Sequence, residues 1–90
     1  MTAGPVTVLI TNKRGLHARA SARFVTLASS FDAVVTVTKD GASVTGTSIM
    51  GLMMLAAAPG DTVTVSADGA QADAALTALV DLIATKFGED

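Results

Sequence analysis

The chain has 90 residues, half of them hydrophobic but only three aromatic, all Phe, with no Cys, one His and a formal net charge of −2. That is the length of one small domain, residues 1–90, with a core of Val, Leu, Ile, Ala and Met that buries roughly 60–65% of the unfolded surface. The absence of Cys excludes disulfides, iron–sulfur clusters and thiolate zinc sites, one His is a poor start for any metal site, and a net negative chain without Trp or Tyr is not expected to bind nucleic acid.

The start, Met1 to Val6, lacks the basic and apolar regions of a signal peptide. The longest uncharged stretch, Gly41 to Gly60, is too rich in Gly to span a membrane. The expectation is a soluble, cytoplasmic protein with no membrane partner.

Val6 to Ile10 reads as a β-strand with Val6, Val8 and Ile10 on one side, followed by a loop from Asn12 to Gly15. From Ala18 the period changes. Ala20, Phe24, Leu27, Ala28 and Phe31 fall at helical spacing and predict about three turns of helix. Ala33 to Thr38 alternates again, Asp40-Gly41 is a hairpin turn, and Ala42 to Thr45 is the returning strand. Ser48 can cap a short apolar helix, Ile49 to Leu55. Asp61 to Ala67 alternates with Val63, Val65 and Ala67 on one side and Thr62, Thr64 and Ser66 on the other. Ala72, Ala75, Leu76, Leu79, Val80, Ile83 and Phe87 then form the core stripe of a last helix, after which Gly88-Glu-Asp90 is expected to fray into solvent. The order β-α-β-β-α-β-α, with one apolar and one wetter face on the strands, predicts an α+β open-faced two-layer sandwich whose four-stranded antiparallel sheet is covered on one face by helices.

Charge is not evenly spread. Lys13, Arg14, Arg19 and Arg23 lie in eleven residues without an acid, whereas Lys39 and Lys86 face all eight acids elsewhere. The only histidine, His17, sits inside the basic segment at the predicted start of the first helix. Helix-initial N–H groups lack internal partners and favour anions, phosphate above all. Arg19 is placed to fork onto phosphate oxygens. The same positive surroundings disfavour imidazolium and so favour a neutral, nucleophilic ring. From spacing alone, His17 is compatible with either a plain surface or capping residue or a phosphoryl acceptor.

The segment Gly15-Leu-His-Ala-Arg-Ala20 resembles the active-site motif of the HPr family, the histidine-containing phosphocarriers of the bacterial phosphoenolpyruvate-dependent phosphotransferase system. Gly46-Thr-Ser-Ile-Met-Gly-Leu52 is similar to that family's regulatory-serine motif. The segment through Leu55 looks nearer to the proteobacterial or nitrogen-related branch. The resemblance spans nearly the whole chain. It implies that His17 takes the phosphoryl group on Nδ1 and that Arg19 neutralises it. The backbone amides of Ala18 and Arg19 would bind its oxygens, and Ser48 would be the target of a serine kinase and its phosphorylase. It implies a monomeric carrier, not an enzyme, that uses no cofactor. The donor would be Enzyme I, the acceptor an Enzyme IIA-type domain, in sugar uptake or a regulatory phosphorelay. One departure is Ala20, where the family usually has Pro.

Ile49, Met50 and Met53 exceed what one face of a two-turn helix can bury, so with Arg23 they form the expected docking face, while Leu52 and Leu55 belong to the core. Two other readings stand beside the carrier. One is a regulatory homologue that binds partners through Ser48 without carrying; the other is an unrelated module that binds small anions.

Overall fold

The computed structural model describes residues 1–89. The elements are β1 (Thr2–Leu9), α1 (Ala18–Ser29), β2 (Val34–Lys39), β3 (Ala42–Thr45), α2 (Ile49–Met54), β4 (Thr62–Asp68) and α3 (Ala72–Ala84), followed by a 3₁₀ turn, Lys86–Gly88. The strands form one antiparallel sheet in the order β1-β4-β2-β3. Helices pack on one face, as the alternation predicts.

The reason lies in the period-two pattern. Val35, Val37, Val63, Val65 and Ala67 are buried on the inner face beneath α3 and α1. On the outer face Thr38 pairs with Thr64 and Thr36 with Ser66 across β2 and β4, and the Thr7 and Thr64 hydroxyls hydrogen-bond at 3.2 Å. A shift of one residue would turn every valine outward, so the register is strongly determined. Asp40 and Gly41 both take positive φ, the geometry of a two-residue hairpin.

The structure corrects expectations in β1, at the end of α1 and along the stripe of α3. β1 begins at Thr2 rather than Val6, and its register shifts between Ala3 and Val6. Ala3 is buried whereas Val6 is 37% exposed, so Val6 does not share the core side with Ile10. A Pro at position 5 is tolerated because β1 is an edge strand and the irregularity falls there. Phe31 lies beyond the end of α1, which stops at Ser29. Phe87 does not continue the stripe of α3: the helix ends at Ala84, and Lys86 and Phe87 take φ values of 59° and 56°. Val80 and Leu76 are only half-buried at the edge of that stripe.

Candidate functional site

The loop between β1 and α1 is anchored by its backbone. Gly15 takes φ +61°, and the Leu16 N–H donates to the Ala57 carbonyl at 2.9 Å. A Cβ at Gly15 would lie 2.1 Å from that same carbonyl oxygen, so only glycine fits. The buried Ser21 hydroxyl donates to the Leu16 carbonyl at 3.2 Å. These contacts deliver His17 to the N-cap of α1.

His17 caps the helix with its ring. Its Nδ1 accepts a hydrogen bond from the Arg19 N–H at 3.2 Å. Its Nε2 lies 2.7 Å from Glu89 Oε2. A carboxylate accepts only, so Nε2 carries the proton and donates, and Nδ1 holds the lone pair. The ring is about a quarter exposed. The amides of Ala18 and Ala20 have no protein acceptor among the described residues. Ala20 is itself buried in the first turn, so its methyl group packs against the core without disturbing the start of the helix.

The cationic surround is present as expected. An open cavity of about 640 Å³ is lined by Lys13, Arg14, His17, Arg19 and Arg23 together with Gly88 and Glu89. None of those four cations pairs with an acid among the described residues. Arg23 is not free for a ligand in the same way as Arg19, because its Nη1 donates to the Phe87 carbonyl.

Glu89 is the largest correction. It does not fray: its carboxylate is clamped between His17 Nε2 and the Nδ2 of Asn12, which donates to Oε1 at 3.0 Å. Asn12 is fully buried, and the same Nδ2 also donates to the Gly15 carbonyl at 2.8 Å. The Asn12 hydrogen bond, with help from His17 and Arg19, holds the Glu89 carboxyl below its ordinary value against the opposing effect of burial. The chain turns back through Lys86, Phe87 and Gly88, all at positive φ. For Lys and Phe that conformation costs about 1–2 kcal/mol each. Complete burial of the Phe87 ring, worth roughly 1.5–3 kcal/mol, and the Arg23 contact offset it. Asn12 and Glu89 escape a reading of the sequence, and Phe87 is legible there as core but not as the left-handed turn that brings the chain back. The available signal was an apolar residue followed by Gly just past a helix end.

Ser48 is the N-cap of α2, its hydroxyl accepting from the Gly51 N–H at 2.9 Å. Leu52 and Leu55 are buried, while Ile49, Met50 and Met53 are exposed, as is Met54, which the sequence reading left unassigned. α2 packs beside α1, whose N-cap is His17. Among the described residues no helix is long and apolar enough to cross a membrane.

Comparison with known proteins gives consistent results. A family model described as the PTS HPr component phosphorylation site matches residues 6–85, a span that stops short of Phe87 and Glu89. The chain is 55% identical over 80 residues to a phosphocarrier protein HPr of Neisseria meningitidis, covering 89% of this chain and 90% of that one. It is 44% identical over 82 residues to a phosphocarrier protein NPr of Shewanella violacea, covering 91% and 90%. The crystal structure of HPr-C-His from Thermoanaerobacter tengcongensis superposes with a TM-score of 0.93 at 48% identity, covering 98% of this chain and 99% of that one.

Proposed function

Because the chain belongs to the HPr family of phosphotransferase-system phosphocarriers, we propose that His17 is its phosphoryl acceptor, reacting through Nδ1. The observation that carries this reading is the lone pair on Nδ1 at the open start of α1, beside the unpartnered Ala18 amide and unpaired cations. A nucleophile needs that lone pair, and the product needs donors where its oxygens come to rest. Phospho-Enzyme I presents its phosphohistidine; the Nδ1 lone pair forms the new N–P bond as the donor's N–P bond breaks and its electron pair returns to the donor ring. The Ala18 N–H, the Arg19 N–H released from the ring, and the Arg19 guanidinium receive the phosphoryl oxygens. Transfer to a histidine of an Enzyme IIA-type domain reverses these roles. The protein is a stoichiometric carrier that is regenerated at each cycle, acting as a monomer built as one domain over residues 1–90.

Ile49, Met50 and Met53 of α2, together with Arg23 of α1, supply the docking face for these partners. Flexible Met side chains adapt to more than one surface, and the cations steer acidic partners to productive encounters. Ser48 is a second, regulatory site, where phosphate would sit at a helix start and repel an acidic partner.

Incubation with phosphoenolpyruvate and Enzyme I, followed by intact-mass measurement, tests the central point. One acid-labile, base-stable phosphoryl group is expected, absent from His17→Ala. A wild-type protein that stays unmodified, or a His17→Ala variant that still gains the group, refutes it.

A further inference from the structure

The sequence contains no Cys, Trp or Tyr, so its four methionines carry the side chains that a two-electron oxidant attacks most readily. Three of the four stand on one short helix. Met50, Met53 and Met54 lie on α2 and are 67%, 39% and 79% exposed, so a small oxidant reaches their sulfurs without unfolding the chain. Met1, the fourth, is exposed too, but it lies at the opposite end of β1 from the histidine loop. α2 is held to the core by Leu52 and Leu55, which are buried and contain no sulfur. A polar group added to the three sulfurs therefore changes the surface beside α1 and leaves the interior as it is.

We propose that Met50, Met53 and Met54 are an oxidation-sensitive modification site, at which peroxide converts the thioethers to sulfoxides and so weakens partner docking without touching the chemistry of His17. This rests on α2 being part of the docking face. The sulfur lone pair attacks one oxygen of hydrogen peroxide, and the S–O bond forms as the O–O bond breaks. The displaced hydroxide takes the proton from the transferred oxygen and leaves as water. Sulfur loses two electrons and the peroxide gains them. In the reverse direction a dithiol supplies two electrons and two protons, the sulfoxide oxygen departs as water, and the dithiol closes to a disulfide. The thioether is a flexible apolar group that fits several surfaces, whereas the sulfoxide is polar and holds water. A contact made by the reduced side chain would then bury a polar oxygen with no donor opposite it, which disfavours the complex. The new group is uncharged, so the cations that steer partners toward His17 act as before, and the loss falls on the affinity of the docked complex.

The test uses the full chain, untreated and treated with hydrogen peroxide, with peptide mapping to place each added oxygen. Once Met50, Met53 and Met54 are sulfoxides, Enzyme I's KM for the wild-type protein is expected to rise about tenfold, the order of losing an anchor contact. The kcat is expected to stay within about twofold and the thermal midpoint within about 3 °C of the untreated protein. Methionine sulfoxide reductases of both epimer specificities, with dithiothreitol, are expected to return KM to its starting value. The triple variant Met50→Leu, Met53→Leu, Met54→Leu, compared with its own untreated form, is expected to be indifferent to peroxide. Mapped sulfoxides with an unchanged KM, an equal loss in the triple variant, a loss that the reductases do not reverse, or one that arises through kcat or unfolding overturns the proposal. An untreated Ile49→Glu variant reads the docking face separately, and no rise in its KM overturns the reading of α2 on which the proposal rests. A wild-type protein that takes no phosphoryl group from Enzyme I overturns instead the reading of His17.

Discussion

Substituting Gly15 by Ala tests how the loop before His17 is held. Two effects add. The new side chain must adopt φ +61°, which disfavours an L-residue by about 1–2 kcal/mol. Its Cβ would also stand 2.1 Å from the Ala57 oxygen, so loop and carbonyl must separate by about an ångström, the difference from an ordinary contact. That separation breaks the 2.9 Å bond from the Leu16 N–H, and both Leu16 and Ala57 are buried, so an unpaired donor and acceptor add about 1–3 kcal/mol. The expected loss is about 2–5 kcal/mol, or roughly 10–30 °C in midpoint for a chain of this size. Gly60 is the matched control, with φ +93° and no atom within 4 Å of an added Cβ, so Gly60→Ala carries only the conformational part. Thermal unfolding followed by far-UV circular dichroism compares the two. If Gly15→Ala loses no more than Gly60→Ala, the steric argument is wrong.

Ser48→Ala should destabilise by about 0.5–2 kcal/mol through loss of the α2 cap, measured by urea unfolding, whereas Ser48→Asp keeps an acceptor for the Gly51 N–H and should unfold close to wild type. The same Ser48→Asp should slow phosphoryl acceptance from Enzyme I, and added salt should narrow the gap by screening. The Glu89 carboxyl lies below its unfolded value of about 4.5, so its contribution to stability is present above that pH and is lost as pH falls through the lower, folded value. Unfolding midpoints of wild type and Glu89→Gln should therefore converge on acidification; parallel curves would contradict the clamp.

Legibility in the sequence tracked the range of the interactions. Alternation in β4 and in Val35 and Val37 marked the core face, because period two survives wherever one sheet face is dry. The start of α1 was legible because a polar side chain, a basic loop and a change of period coincide at His17. β1 was read as starting too late because Pro5 argues against a strand until the edge position and the irregular register are known. Phe87 sits four residues after Ile83, so periodicity alone assigned it to the helix; its ring is buried as expected, but from a left-handed turn. Glu89 carried no local signal at all. Its partners are Asn12 and His17, and only the reversal of the chain after Ala84 brings them together.

The sheet order has a consequence for biosynthesis. β1 has one neighbour, β4, and Leu9 pairs with Thr62, so the first strand made must wait for more than fifty further residues before it can dock. At translation rates of about 5–20 residues per second that is a delay of several seconds. During it the histidine loop lacks the Ala57 carbonyl that seats it, and Glu89 emerges later still. A nascent chain on the ribosome therefore holds no finished imidazole site, and the protein acquires it only after the whole sheet has closed.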